Sequence, residues 1–417
     1  MKWLCLAGWL LPAVLLGGRP QADTNVNSRY TVEAIEIAGK SPRKLSSGLH
    51  EQIRGLIGER FNQSALDDLA RRIRKELRVK AVSQKVQRGS QPNQVKVVFE
   101  LTERRINFDV SVPKFVYHSK QGWTSSVEGE TAIGSNLFAF GLVSDGDELA
   151  ERYAGLRTRY ENRKVGSERV QLAFLFESYH QQWNRATLEA LDAQSGSRLQ
   201  PEVAGIYRTR QNFQPAVTVI LAKPLTLTVG ASFERFQTQF PAARTEAANA
   251  VVNTLRYHRV VEDSGANRHD LEAGYNLRAA TKVLSSDFAY ARHRWDLRYA
   301  FSRNAHTIVA HLTAGVLTGR APLFERFVLG NSATLRGWNK YDVDPLGGDR
   351  AAHNTLEYRY RYFEVFYDTG AVWNHGRAAT VRHSLGAGLR KDGFSLAVAF
   401  PVKEGRVEPM LMVGMNY

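Results

Sequence analysis

The chain has 417 residues, 43% of them hydrophobic, with a formal net charge of +15 and a mean hydropathy of −0.35. Beyond the N-terminus no uninterrupted apolar run reaches the ~20 residues of a membrane-spanning helix, so any crossing of a bilayer has to be made by strands. The only cysteine is Cys5, and it falls in a leader; a mature chain without it has no disulfide, no thiol nucleophile and no cysteine-based metal site.

Residues 1–22 read as a secretory signal peptide. Lys2 supplies the positive start, Trp3 to Leu16 is apolar with Pro12 inside it, and Pro20-Gln21-Ala22 is an imperfect cleavage site. For an exported, strand-rich chain the excess positive charge fits a basic lumen or basic loops facing anionic lipid headgroups, and nucleic acid is not expected as a partner.

Residues 30–103 form a module of their own. Tyr30 to Ile37 alternates as a strand and ends at Gly39, a polar helix follows over Leu45 to Leu56, and Gly58 to Phe61 turns. Asn62 or Ser64 can cap a second helix whose buried stripe is Leu66, Leu69, Ile73 and Leu77. Val82 to Arg88 and Val95 to Thr102 are strands joined by a Gly-Ser-Gln-Pro-Asn turn. The order β-α-α-β-β predicts a three-stranded sheet with helices on one face. Arg71, Arg72, Arg74, Lys75 and Arg78 make the second helix basic, and its expected contact is a solvated surface or anionic lipid headgroups.

Residues 104–417 alternate at period 2 with almost no helical periodicity. Leu225, Leu227, Val229, Ala231 and Phe233 oppose Thr226, Thr228, Gly230 and Ser232, and similar stretches recur at Arg169 to Glu177, Asp270 to Arg278, Trp295 to Phe301 and Ile308 to Val316. The polar parity is rich in charge, Gly, Ser and Thr, as a wet lumen requires. Aromatics (Trp123, Trp183, Tyr299, Tyr358, Tyr360, Trp373, Tyr417) are placed near strand ends as interfacial girdles. The expectation is a mainly β fold: a transmembrane antiparallel β-barrel of about 16 strands behind a small α/β domain. In the last strands Tyr358, Val365, Tyr367, Leu385, Leu396 and Leu411 face outward, while Glu357, Arg359, Glu364, Phe366, Asp368 and Ser384 face inward. His383 falls on the outward parity near a strand start, which makes it interfacial rather than a metal ligand.

Leu335-Arg336-Gly337-Trp338 interrupts this pattern in a long Gly- and Asp-rich stretch. Together with Gly347-Gly348, Glu357-Tyr358-Arg359, the run Val365 to Trp373 and Ser384 to Arg390, it resembles the C-terminal half of the BamA/TamA superfamily of outer-membrane insertases and transporters, the bacterial surface antigen type of barrel. The N-terminal module is similar to a POTRA domain, the periplasmic unit that precedes such barrels. The chain departs from the family pattern in having Trp338 where Phe or Tyr is usual and in carrying one POTRA-like module.

The resemblance implies a location in the bacterial outer membrane with the N-terminal domain in the periplasm. It also implies that the loop around Arg336 folds into the lumen, with Asp368 as its acidic partner. The implied activity is assembly or translocation of client polypeptides, unfolded outer-membrane or secreted proteins, by strand addition at the seam between first and last strands, with Leu411, Val413, Met415 and Tyr417 on the outward edge. The alternative is a substrate-specific pore of the two-partner-secretion kind. Outer-membrane lipids and periplasmic accessory proteins are the other expected partners. No Gly-x-Ser-x-Gly, P-loop or His-Glu-x-x-His motif is present, so neither catalysis nor a cofactor or metal is expected.

Overall fold

The computed structural model describes residues 29–39, 45–77, 79, 81–102, 107–195, 206–239, 242–262, 267–391, 393–405 and 407–415. The predicted leader, Arg78 and Tyr417 lie outside the described residues. The chain divides at residues 105/106 into two compact units.

The first unit is a sheet in the order β1-β3-β2 covered by two helices. Strand β1 (Thr31–Ala38) runs parallel to β3 (Gln94–Thr102), which is antiparallel to β2 (Ala81–Arg88). Helix α1 (Ser47–Leu56) is capped by the Ser46 side chain, which accepts from the Leu49 amide. Helix α2 (Gln63–Leu77) begins where Asn62 Oδ1 accepts from the amides of Ser64 and Ala65, satisfying donors that the first helical turn leaves free. Leu66, Leu69, Ile73 and Leu77 recur at helical spacing, and all four are buried against Val32, Val97 and Phe99 of the sheet. Gly39 ends β1 at φ +117°, where a Cβ would lie 2.9 Å from the Leu101 carbonyl oxygen.

The second unit is a closed antiparallel barrel of 16 strands. In chain order its strands are β4 (Asn107–His118), β5 (Gly122–Ile133), β6 (Asn136–Asp145), β7 (Arg152–Asn162), β8 (Val170–Gln182), β9 (Tyr207–Ala222), β10 (Leu225–Thr238), β11 (Arg244–Ala247) and β12 (Ala250–Glu262). They continue with β13 (Asn267–Ala280), β14 (Ala289–Arg303), β15 (His306–Arg320), β16 (Arg350–Tyr360), β17 (Phe363–Trp373), β18 (Arg382–Lys391), β19 (Phe394–Val402) and β20 (Met410–Met415). The short β11 and the longer β12 both pair with β10 and form one wall position, broken at Ala248 and Asn249. There the Ala248 amide donates to the Glu234 carbonyl, and the Asn249 side chain donates to the Leu284 carbonyl.

Parity sorts the residues as period-2 alternation requires. Along β16, Ala351, His353, Thr355 and Glu357 are buried and Ala352, Asn354, Leu356 and Tyr358 are exposed; along β17, Glu364, Phe366 and Asp368 are buried and Phe363, Val365 and Tyr367 exposed. Outward apolar side chains such as Leu142, Phe233, Leu312, Val365 and Phe400 are exposed around the wall, as a lipid-facing surface demands. Turns at one end of the barrel are short. At the other end lie the long connections, including helix α3 (Arg185–Ser195) and residues 321–349 with helix α4 (Lys340–Val343).

One expectation needs correction, and one element was not foreseen. Between β8 and β9, α3 caps the long-loop end, where Leu191 packs on Leu323 and Leu346 and Thr187 donates to the Pro345 carbonyl. Trp183 is not in an interfacial girdle. Its indole N–H donates to the Tyr207 carbonyl at 2.8 Å, and its ring packs edge-on to Tyr207 in the apolar layer at that end. It lies just past the last strand position of β8, so outward parity no longer governs it.

Candidate functional site: a luminal loop and a short seam

The connection from β15 to β16 turns back into the barrel instead of out into solvent. Leu323, Phe324, Phe327, Leu329, Leu335 and Leu346 in it are buried, so apolar contact drives it inward. It is a hairpin at its base, where Phe327 and Gly348 exchange both backbone hydrogen bonds. At its tip Asn331 Oδ1 accepts from the amides of Ala333 and Thr334, and Leu335 adopts φ 46°.

Arg336 follows and is 4% exposed. Its Nε and Nη2 donate to the two oxygens of Asp368, each at 2.9 Å, and its own amide donates to Asp368 at 3.0 Å. Thr355 Oγ1 adds a fourth donor to that carboxylate at 2.8 Å. Nη1 lies 3.0 Å from Glu357, and the guanidinium carbon sits 3.5 Å from the centre of the Phe366 ring. The loop therefore docks by a bidentate, charge-assisted pair in a water-poor site, the arrangement for which the planar guanidinium is suited.

The charges balance beyond that pair. Glu357 also meets Arg359, and Glu364 meets Arg359 at 3.7 Å and Arg390 at 3.1 Å. Three arginines thus alternate with three acids along the inner wall. The glycines of the motif have steric reasons to be there. Gly337 has φ +96°, and a Cβ on it would lie 3.1 Å from the Phe400 carbonyl carbon and 3.2 Å from Ser384. On Gly386 a Cβ would lie 2.1 Å from the Phe366 ring, so that glycine leaves the space in which the ring under Arg336 lies flat. Trp338 donates from its indole to the His383 carbonyl at 2.8 Å, beneath the Arg382 guanidinium.

The same loop carries the opposite charge to a second stretch of the wall, at β13 and β14. Glu325 pairs with Arg278 at 2.7 Å and lies 3.7 Å from Arg292, while Arg278 also holds Glu234 at 2.7 Å. Lys340 donates to the carbonyls of Gly146 (2.6 Å) and Leu149, and Ser332 donates its amide to Asp147 at 2.8 Å. Below these contacts a polar cavity of about 260 Å³ remains, lined by Arg157, Glu177, Arg210, Glu234, Arg292 and Glu325. Sequence parity marked Glu357 as inward but did not mark it as a second partner of Arg336. Glu325 was not singled out, because the sequence does not show which wall a loop residue meets.

The ring closes between β20 and β4. Among the described residues that ladder runs from Phe115–His118 against Met412–Met415, whereas β13 and β14 pair from Asn267 to Ala280. At the loop end the seam is fastened by the Ser119 amide donating to the Leu411 carbonyl at 3.0 Å and by Lys120 beside Glu408. Towards the short-turn end, Asn107–Lys114 of β4 continue past Met415, the last described residue of β20. Phe108 and Val110 there are 69% and 60% exposed. Strands β20 and β4 approach closely at Gly414, where a Cβ would be 2.0 Å from the Phe115 carbonyl oxygen. Of the predicted seam residues, Leu411 is exposed and Val413 and Met415 are half-buried. Of the predicted headgroup contacts, Arg71 pairs with Asp68 and Arg72 donates to Gln52, while Arg74 and Lys75 occupy the last turn of α2.

A 16-stranded outer-membrane barrel with an arginine-tipped loop docked in its lumen defines the class. The Omp85 superfamily domain matches residues 103–405, and the chain belongs to that superfamily. No match was found among curated protein sequences. Among solved structures, BamA from Haemophilus ducreyi lacking POTRA domains 1–3 is 14% identical, covering 93% of this chain and 84% of its own, with a TM-score of 0.58. CdiB from Acinetobacter baumannii is 14% identical over 93% of this chain and 74% of its own, with a TM-score of 0.49. CdiB from Escherichia coli is 10% identical over 97% and 93%, with a TM-score of 0.46. At these identities the likeness to BamA is one of fold.

Proposed function

We propose that the barrel assembles or translocates client polypeptides by adding a client strand to the open edge of β4, without covalent chemistry. The observation that carries this reading is the short seam. Breaking the ladder of Phe115–His118 with Met412–Met415 frees the backbone donors and acceptors of that edge, next to Asn107–Ser111 with outward Phe108 and Val110, the two stretches being interrupted at Pro113, which has no N–H, and by the irregularity between Ser111 and Lys114. In a bilayer such an edge is costly to leave unpaired, and a strand of an unfolded membrane protein satisfies it by β-augmentation. The loop held by Arg336 fills the lumen behind the seam, which favours lateral exchange over free passage through the centre.

In this reading the N-terminal β-α-α-β-β module is a periplasmic POTRA domain. It receives the client, and its exposed Arg71, Arg74 and Lys75 face lipid headgroups or accessory proteins. The test places a photocross-linking residue at Phe108 or Val110 in full-length protein in liposomes and presents an unfolded outer-membrane protein. The expected result is a cross-link to the last strand of the client that grows during its assembly. Cross-links confined to lipid while the client assembles normally refute lateral addition. Client passage through a lumen emptied of residues 321–349 replaces it with the pore reading.

A further inference from the structure

Histidines on the outward face of one part of the wall share one arrangement. His269 on β13 bonds through Nδ1 to the Tyr299 hydroxyl of β14 at 2.8 Å, and His293 on β14 bonds through Nδ1 to Tyr275 of β13 at 2.8 Å. His306 on β15 bonds through Nδ1 to Tyr358 of β16 at 2.7 Å, and His383 on β18 through Nδ1 to Tyr367 of β17 at 2.6 Å. Aromatic rings pack beside the imidazoles: Phe301 lies 5.0 Å from His269 and Tyr360 4.9 Å from His306, both tilted, while Trp295 lies 5.9 Å from His293 and Tyr367 5.9 Å from His383, both near-parallel, centre to centre.

In the neutral tautomer that accepts from the phenol at Nδ1, the ring proton sits on Nε2. Aromatic neighbours pack each ring and its Nδ1 is satisfied by a tyrosine hydroxyl, so in this tautomer Nε2–H is the polar group each imidazole has left to present outward. At a lipid-facing position that donor needs an acceptor from the membrane.

The heights are those of lipid headgroups. His269 and His306 stand at the short-turn end of their strands, and His293 and His383 towards the long-loop end. On β14, eight residues separate His293 from Phe301, the register partner of His269. At ~3.4 Å per residue and a strand tilt of ~40° this is about 21 Å along the barrel axis, close to the height of an outer-membrane barrel's apolar band. Cations flank the short-turn belt: Arg361 lies over Tyr360 and Lys391 over Tyr362.

We propose that the four pairs are binding sites for the phosphate of membrane phospholipids, at two heights on the wall β13–β18, with each Nε2–H donating to a phosphate oxygen. This rests on the barrel's being in the membrane and is independent of client handling. The phosphate is favoured over the ester carbonyls because an anionic acceptor makes the stronger hydrogen bond and because Arg361 and Lys391 stand beside the belt.

The test is nitrogen–phosphorus dipolar dephasing by solid-state NMR, on full-length protein with labelled histidine in phosphatidylglycerol bilayers. Dephasing of Nε2 is expected at His269, His293, His306 and His383 and not at the inward His311 and His353. The conservative variants Tyr299→Phe, Tyr275→Phe, Tyr358→Phe and Tyr367→Phe keep the ring and lose the hydroxyl; each should diminish dephasing at its paired histidine alone. In a parallel native mass-spectrometry arm, the folded protein should retain phosphatidylglycerol and release diacylglycerol, which has the same esters and no phosphate. Absence of dephasing at the four outward rings in folded protein, an unprotonated Nε2, or equal retention of the two lipids overturns the proposal.

Discussion

Removing Arg336 tests the luminal anchor most sharply. Arg336→Ala takes three donors from Asp368, counting the loop amide that shifts with it, and leaves Thr355 as the remaining donor. It also converts a balanced set of three arginines and three acids into one with an uncompensated buried charge. Breaking one side of a buried ion pair costs roughly 3–5 kcal/mol, and loss of the stacking on Phe366 contributes up to about 2 kcal/mol of the same sum. The barrel ladders are untouched, so the loss of about 4 kcal/mol falls on loop docking. Amide hydrogen exchange at residues 334–338 in lipid should then accelerate roughly a thousandfold while the strand amides of β16 and β17 keep their protection. Asp368→Ala should do the same. In the double variant both charges are gone and Glu357 keeps Arg359, so the double is no worse than either single, a coupling of about 4 kcal/mol. Arg336→Lys keeps charge without the fork and should fall between, at about 2 kcal/mol. If the two single effects simply add in the double, the loop is held by something other than this pair.

Glu325→Ala leaves Arg278 with Glu234 alone and takes the acid from beside Arg292, and should loosen this part of the loop by about 3 kcal/mol, read as larger conductance fluctuations in planar bilayers. Gly386→Ala should displace Phe366 and weaken loop docking by about 1–3 kcal/mol through overpacking, measured by the same hydrogen exchange, with no effect if the ring has room to turn. In the N-terminal unit, Ser90 donates to Glu33 through both its amide and its hydroxyl, each at 2.6 Å, and these bonds hold the Glu33 carboxyl below its ordinary value. Its contribution to stability is complete above the ordinary carboxylate range and is lost as pH falls through the lowered value. Ser90→Ala should raise the titration midpoint of Glu33 in carboxyl-carbon NMR of the full chain.

Much of this was legible before any coordinates. Period-2 alternation identified the wall and its facing, because a lipid exterior and a wet interior impose opposite chemistry on neighbouring residues. Asn62 and the Leu66 to Leu77 stripe placed α2, since capping and helical spacing are local signals. Arg336 and Asp368 were paired through the family resemblance, and parity alone placed Asp368 only on the inner face. What stayed hidden was non-local. Parity says that Glu357 and Glu364 point inward, not which guanidinium they meet, and Glu325 finds Arg278 only after the loop folds into the barrel. Helix α3 is short and lies between long strands, so its periodicity is submerged. The Tyr hydroxyls that meet His269, His293, His306 and His383 come from neighbouring strands, and a one-residue change of register would separate every pair.

The central claim is that the seam must open for the protein to act. Tyr117 and Val413 face each other across it, and the chain's one cysteine is Cys5, within the predicted leader. Tyr117→Cys with Val413→Cys therefore gives a single designed disulfide. The oxidised protein should remain a folded barrel and lose client assembly, and reduction should restore it. Assembly at the full rate with the seam locked would contradict the account.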